Sequence, residues 1–250
     1  MLTILPAFDD NYVWLFGLPG RRIVVDPGDA RVVIDALNDE IPAAILITHH
    51  HGDHIGGLPE LCARWPDVPV YAPEDPRIPP ATRRVQNGDV VTAGDMSFEV
   101  IAVPGHTLSH VAYFGEGHLF CGDTLFSLGC GRLFEGTPQQ MLNSLQRLSQ
   151  LPASTKVCCA HEYTAGNAAF ALTVDPDNAD LKAYAVQIAE LRAAGHPTLP
   201  STLALEKACN PFLRSDTPAI IDRVSSHSGQ TLSNPAAQFA ALRAWKDVYR

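Results

Sequence analysis

The chain reads as an α+β protein, with a layered sheet domain carrying metal-binding side chains and then a small all-helical domain. Two observations predict this. Short apolar runs of strand length end abruptly at a histidine or an aspartate, and this happens four times in the first two-thirds of the sequence. After Thr164 the strand pattern stops, and helical periodicity interrupted by proline takes over.

Taken in order, residues 12–18 and 22–25 are apolar runs joined by Pro19-Gly20 and read as strands. Asp26-Pro27-Gly28-Asp29 then opens a helix over 30–38. Residues 43–47 (Ala-Ala-Ile-Leu-Ile) form a buried strand that stops at Thr48-His49-His50-His51-Gly52-Asp53-His54. A helix over 56–65 follows. The strand 98–103 reaches His106 through Pro104-Gly105. Residues 110–114 and 118–121 make a hairpin around Gly115-Glu116-Gly117, and the second arm ends at Asp123. Residues 138–150 carry Met141, Leu142, Leu145 and Leu148 at helical spacing. The run 156–160 ends at His161. Beyond it, 167–174, 180–194 and 236–248 read as helices, the last packing Phe239, Leu242 and Trp245 against the rest of the protein. The domain boundary falls near residue 165, giving a metal domain over 1–165 and a helical domain over 166–250.

The histidine cluster has metal-ligand spacing. In extended chain His49 and His51 project to one side and His50 to the other, because side chains alternate with a period of two. A turn at Gly52 swings Asp53 and His54 to a second position nearby. Imidazole and carboxylate together suit zinc, iron or manganese, and two ligand pairs in so short a loop point to two ions. A single histidine after a strand is more often a hydrogen-bonded structural residue. Four such strand ends in one chain favour ligands that converge on one edge of a layered sheet, where open α/β architectures place their chemistry.

Composition removes several function classes. With 18 Lys and Arg against 27 Asp and Glu, the formal net charge of -9 argues against a phosphate-binding surface. No apolar run approaches the roughly 20 residues needed to span a bilayer. The N-terminus reaches Asp9 and Asp10 without a basic region, so no secretory signal is expected. The six cysteines, Cys62, Cys121, Cys130, Cys158, Cys159 and Cys209, include no C-x-x-C pair and suit reduced core thiols, so a cytoplasmic protein is expected.

The pattern T-H-x-H-x-D-H, then Pro104-Gly105-His106-Thr107, then Gly122-Asp123-Thr124, then His161, resembles the metallo-β-lactamase superfamily. That resemblance implies a four-layer αββα sandwich. Further stretches are similar to glyoxalase II, the hydroxyacylglutathione hydrolases. They are Phe8-Asp9-Asp10-Asn11-Tyr12, residues 121–126 and 129–137, Ala160-His161-Glu162-Tyr163-Thr164, and Asn210-Pro211-Phe212-Leu213-Arg214. The similarity runs over essentially the whole chain.

Carried over position by position, the resemblance implies two divalent ions, zinc first and iron or manganese as alternatives. His49, His51 and His106 would hold one ion, Asp53, His54 and His161 the other, and Asp123 would bridge them. Asp53, Asp123 and His54 would be the catalytic set. Two divalent ions with two carboxylates and a hydroxide leave a net positive centre suited to an anionic substrate. The implied reaction is hydrolysis of S-D-lactoylglutathione to glutathione and D-lactate by a metal-bridged hydroxide, in methylglyoxal detoxification. A thiol with a pKa of about 8.5 leaves without a general acid, and no G-x-S-x-G nucleophile elbow is present. Arg132, Phe134, His161, Tyr163 and Arg214 would face the glutathione moiety, the arginines gripping its carboxylates bidentately. Phe134 stands where some relatives carry tyrosine, and no basic residue follows closely after Arg214. His110 is expected to support a ligand rather than to be one. Asp26 is open between orienting a ligand histidine and starting a helix. A glutathione thioester is the expected partner of a monomer. The alternatives are a single-iron persulfide dioxygenase, a β-lactamase, and a non-catalytic metal-binding module.

Overall fold

A computed structural model describes residues 1–249. The polypeptide divides into two compact units interleaved along the chain. Residues 1–102, 109–122 and 158–161 form the first, and 103–108, 123–157 and 162 onward form the second.

The first unit contains a six-stranded sheet in the order β1 (Leu2–Ala7), β2 (Asn11–Phe16), β3 (Ile23–Val25), β4 (Ala44–Leu46), β5 (Val70–Pro73) and β6 (Arg83–Val85). β1, β2 and β3 pair antiparallel, whereas β3 to β6 run parallel. Parallel neighbours need crossover connections, which here are α1 (Ala30–Leu37) and, after the short α2 (Gly52–Ile55), α3 (Leu58–Arg64). β4 lies between two parallel neighbours and is buried throughout, which explains its unbroken apolar sequence.

The alternation along β2 sorts its side chains onto two faces. Val13 and Leu15 join Val33, Leu37, Leu58 and Leu61 of α1 and α3 in one core. Trp14 and Phe16 point the other way and meet the rings of Phe98 and Phe120 edge-on or tilted. Those rings belong to a second sheet, whose strands β7 (Val90–Ala93), β8 (Met96–Ala102), β9 (Val111–Gly115) and β10 (His118–Gly122) follow one another antiparallel. The expected hairpin is present. Its register puts the turn at Glu116-Gly117, both with positive φ, as a two-residue hairpin turn requires.

In the second unit a small hairpin pairs β11 (Leu125–Phe126) with β12 (Gly129–Cys130), and α4 (Pro138–Ser149) follows. Thr137 and Gln140 cap α4 reciprocally, and its buried residues include Met141, Leu142, Leu145 and Leu148. β13 (Lys156–Cys159) pairs antiparallel with β14 (Ser201–Thr202). The helices α5 (Thr164–Val174), α6 (Ala179–Ala193), α7 (Leu203–Cys209), α8 (Pro218–Ser228) and α9 (Pro235–Val248) complete the second unit. Leu128, Ala168, Ala171, Leu181, Tyr184, Ile188 and Cys209 form a core there.

The helix expected over 56–65 is α3, which starts two residues later, and the turn expected at Gly52 is the one-turn helix α2, separated from α3 by Gly56 and Gly57. α5 starts three residues before its expected limit of Asn167. β1 carries Pro6 and escaped the strand pattern, and α7 and α8 are too short and too mixed in polarity to show a clear period. Among the described residues, no helix is long and apolar enough to cross a membrane.

Candidate metal centre

β4 stops at Leu46 and delivers the loop carrying His49, which is fully buried. Its Nδ1 lies 3.0 Å from Thr48 Oγ1, and its Nε2 faces His51 Nδ1 at 3.0 Å. His50 turns elsewhere, with Nδ1 3.5 Å from Asp75 Oδ2. α2 begins directly after His51 and carries Asp53 and His54. This loop packs so tightly on Gly28 that a Cβ there would lie 1.9 Å from the Asp53 carbonyl oxygen. Glycine at position 28 is therefore part of how the loop is held.

Within the first unit Asp53, His54 and His161 converge. Asp53 Oδ2 lies 3.5 Å from His54 Nε2 and 3.4 Å from His161 Nε2, and it accepts a hydrogen bond from Asn11 Nδ2 at 2.9 Å. The other ring nitrogen of each histidine donates to a carboxylate. His54 Nδ1 donates to Asp26 Oδ2 at 3.0 Å, and His161 Nδ1 to Asp10 Oδ1 at 2.7 Å. Because a carboxylate only accepts, these bonds keep the proton on Nδ1 and turn the Nε2 lone pairs towards Asp53. Such an outer carboxylate is the usual partner of a metal-ligating histidine. Asp26 also accepts from the Thr48 amide and hydroxyl, at 2.8 and 2.7 Å. It therefore orients a histidine, and the helix cap belongs to Asp29. His110 stacks on His49 with ring centroids 4.6 Å apart and donates from Nδ1 to the Val111 carbonyl.

The second unit brings His106 and Asp123 together, with Nε2 and Oδ2 3.3 Å apart. His106 Nδ1 donates to the Arg132 carbonyl at 2.9 Å, which again leaves Nε2 as the available donor atom. Phe134 sets its ring edge-on to His106 at 5.2 Å and is exposed. Tyr163 is exposed too, in edge contact with Phe126 at 5.2 Å. Arg132 is exposed, 3.7 Å from Asp247. Arg214 donates from Nη2 to the buried Asp175 at 3.0 Å.

Sequence reasoning left Asp26 open as the partner of a histidine and gave Asp10 and Asn11 no individual role. Asp10 and Asn11 sit at the β1–β2 turn, and only the pairing of Asn11 with His161 brings them to the site. On α9, Arg243 is buried and donates from Nη1 to the Cys130 carbonyl at 2.7 Å, with Nη2 3.1 Å from Asp247. Lys246 has its basicity lowered by burial and by the nearby charges of Arg243 and Arg132.

The donor geometry fits a metal. Two donors on one tetrahedral ion, each about 2.0–2.1 Å from it, lie about 3.3 Å apart. The pairs described here span 3.0 to 3.5 Å.

Comparison with known proteins agrees with this. Residues 7–161 match the metallo-beta-lactamase superfamily, so the chain has that superfamily's α+β fold with a His/Asp cluster able to bind metal ions. Residues 162–249 match the hydroxyacylglutathione hydrolase C-terminus. A hydroxyacylglutathione hydrolase of Xanthomonas campestris pv. campestris (strain B100) is 55% identical over 252 residues, covering 100% of this chain and 99% of its own. The chain therefore belongs to the hydroxyacylglutathione hydrolase family. Among solved structures, the BLEG-1 B3 metallo-beta-lactamase superposes with a TM-score of 0.65 at 25% identity, over 85% of this chain and 99% of its own. TTHA1623, solved in a di-iron-bound form, gives 0.60 at 26% identity, over 85% and 100%.

Proposed function

We propose that the chain hydrolyses the thioester of S-(2-hydroxyacyl)glutathione, S-D-lactoylglutathione in particular, to glutathione and a 2-hydroxy acid, D-lactate. The observation that carries this is the pair of carboxylate-oriented histidines, His54 on Asp26 and His161 on Asp10, aimed at Asp53 in a chain of this family. Two donor groups are assigned: His49, His51, His106 and Asp123 for one divalent ion, and Asp53, His54 and His161 for the other. Asp123 is the proposed bridge and zinc the proposed occupant, with iron and manganese compatible with the same donors. Bound there, the ions lower the pKa of water towards 7 and polarise a carbonyl oxygen.

The chain's own contribution is to hold the donors deprotonated and directed. A thiolate leaving group needs no proton donor, which agrees with a centre built from metal-facing imidazoles and carboxylates. For substrate, Arg132, Phe134, His161, Tyr163 and Arg214 are the proposed contacts. To them we add Lys246, whose charge interacts with those of Arg132 and Asp247, while Arg243 is buried on the Cys130 carbonyl and supports that end of α9. That surplus of positive charge, in a protein of net charge -9, suits the carboxylates of glutathione. A division near residue 165 between metal and substrate-binding parts agrees with where the two family matches meet. A monomer is the proposed state, since the assigned donors require no residue of a second chain. The cysteines, all free thiols and mostly buried, support the cytoplasm.

Thiol release from S-D-lactoylglutathione, assayed beside a β-lactam and beside glutathione persulfide with oxygen uptake, tests the reading. Turnover of the thioester alone is expected. Oxygen uptake without thioester cleavage, or no turnover by a metal-loaded protein, would replace it with the dioxygenase or the non-catalytic reading.

A further inference from the structure

The helical part of the second unit grips one short hairpin, and that hairpin carries metal-site groups at its other end. The grip is at the tip, residues 126–129. Asn210, buried at the end of α7, donates from Nδ2 to the carbonyls of Phe126 and Gly129, both at 3.0 Å. Glu206, also fully buried, accepts from Ser127 Oγ at 2.9 Å and from the Leu128 amide at 2.8 Å. A 3.1 Å hydrogen bond from Asn210 Nδ2 to Glu206 Oε2 ties the two together. Tyr184 and Asn167 add bonds to Ser127 Oγ and the Ser127 carbonyl, each at 3.0 Å.

This grip exceeds what a turn needs. Leu128 adopts φ +56°, a left-handed conformation unfavourable for a branched, non-glycine residue. It is held there by the Glu206 bond and by burial in the helical core. Burying a carboxylate is costly unless its hydrogen bonds are satisfied; Glu206 finds them in the hairpin, in Asn210 and in Ser201 of β14.

Three residues from the tip the same hairpin reaches the metal donors. The Gly131 amide donates to the Thr124 carbonyl at 3.2 Å and closes the base beside Asp123. A Cβ at Gly131 would lie 1.9 Å from the Asp123 carbonyl oxygen and 3.2 Å from His106 Nδ1, so the two arms touch there without slack. The next carbonyl, Arg132, accepts from His106 Nδ1.

We infer that Glu206 and Asn210 are positioning residues for the metal ligands Asp123 and His106, acting through the 123–132 hairpin. This rests on the metal assignment proposed above. The mechanism is geometric: fixing the tip fixes the strand ends, and with them the carboxylate of Asp123 and the carbonyl that orients His106.

The test uses the full-length, metal-loaded protein with Glu206→Gln and Ser127→Ala, the second removing only one hydroxyl from the network. Ile188→Val, in the same helical core but bonded to no part of the hairpin, serves as the stability control. Metal affinity by chelator competition, the absorption spectrum of the cobalt-substituted protein, kcat, KM and Tm are measured for each. Both hairpin variants are expected to lose about ten- to a hundred-fold in metal affinity or kcat, with an altered cobalt spectrum and little change in KM. The control should lose Tm alone. Hairpin variants that match the control, with lower Tm but unchanged metal affinity and spectrum, would overturn the inference. A wild-type protein that takes up no metal would instead overturn the metal assignment beneath it.

Discussion

At the scale of single residues, the roles around Asp53 differ in kind. Asp26 is buried and satisfies both the Thr48 amide and the His54 ring, so its loss would strand several polar groups. Asp10 is more exposed and serves His161 alone among the bonds described here. Asp10→Ala should therefore leave Tm almost unchanged while lowering metal affinity or kcat about ten- to a hundred-fold. Asp10→Asn, which keeps a carbonyl acceptor, should recover much of the loss. Equal kinetics for wild type and Asp10→Ala would show that His161 needs no orienting partner.

The arginines proposed to contact substrate divide in the same way. Arg132→Ala should raise KM for the glutathione thioester about ten-fold or more at constant kcat, the cost of one charge-assisted contact. It should not affect a small thioester lacking those carboxylates. Arg214→Ala should add a loss of Tm, because Asp175 would keep a buried charge without its guanidinium. Loss of Tm with unchanged KM would make Arg214 purely structural.

At the scale of elements, what could be read from the sequence depended on how local the signal was. β4 and its polar tail were legible because burial on both sides forces an unbroken apolar run, and the run stops where the chain leaves the sheet. His54 was readable for the same reason. Asp10 was not, since its bond to His161 spans 151 residues and depends on Asn11 pairing with that histidine. α2 was not read as a helix, because a single turn of four residues carries no hydrophobic period.

Asp75, just beyond β5, shows how one side chain ties elements together. It accepts from Ser109 Oγ at 2.6 Å and from Arg77 Nε and Nη2, both at 2.8 Å. The Arg77 hydrogen bond is the main reason its carboxyl sits well below the ordinary carboxylate range. Arg77 is half exposed, so that ion pair contributes little by itself. Most of the cost of Asp75→Asn should come from the partly buried Ser109 bond, about 1 kcal/mol at neutral pH. A depressed folded-state value means the unfolded chain binds the proton more readily. The stabilisation is therefore complete above the unfolded value of about 3.9 and is lost as pH falls through the lower folded value. Denaturant titrations of wild type and variant should differ by a constant amount above about pH 5 and converge in stronger acid. A gap that widened on acidification would assign the effect to another group.

At the scale of the whole molecule, the proposed metal donors come from distant parts of the chain. Asp53 and His54 follow β4, while His161 follows β13 more than a hundred residues later. A ligand held only by the folded chain shifts the folding equilibrium by mass action, and this applies to metals whose ligands are scattered in the unfolded state. Free metal at a hundred times its dissociation constant adds about 2.7 kcal/mol per site. For a chain of this length, each kcal/mol moves Tm by about 2–4 °C, so one site is worth about 5–11 °C. Stripping the protein with a chelator should lower Tm by at least that amount, and zinc or manganese should restore it together with thioester turnover. Elemental analysis of the reloaded protein should return close to two ions per chain. Recovery of Tm and activity with a single ion would reduce the assignment to one metal position, and unchanged Tm on stripping would mean that the donors hold no ion at all.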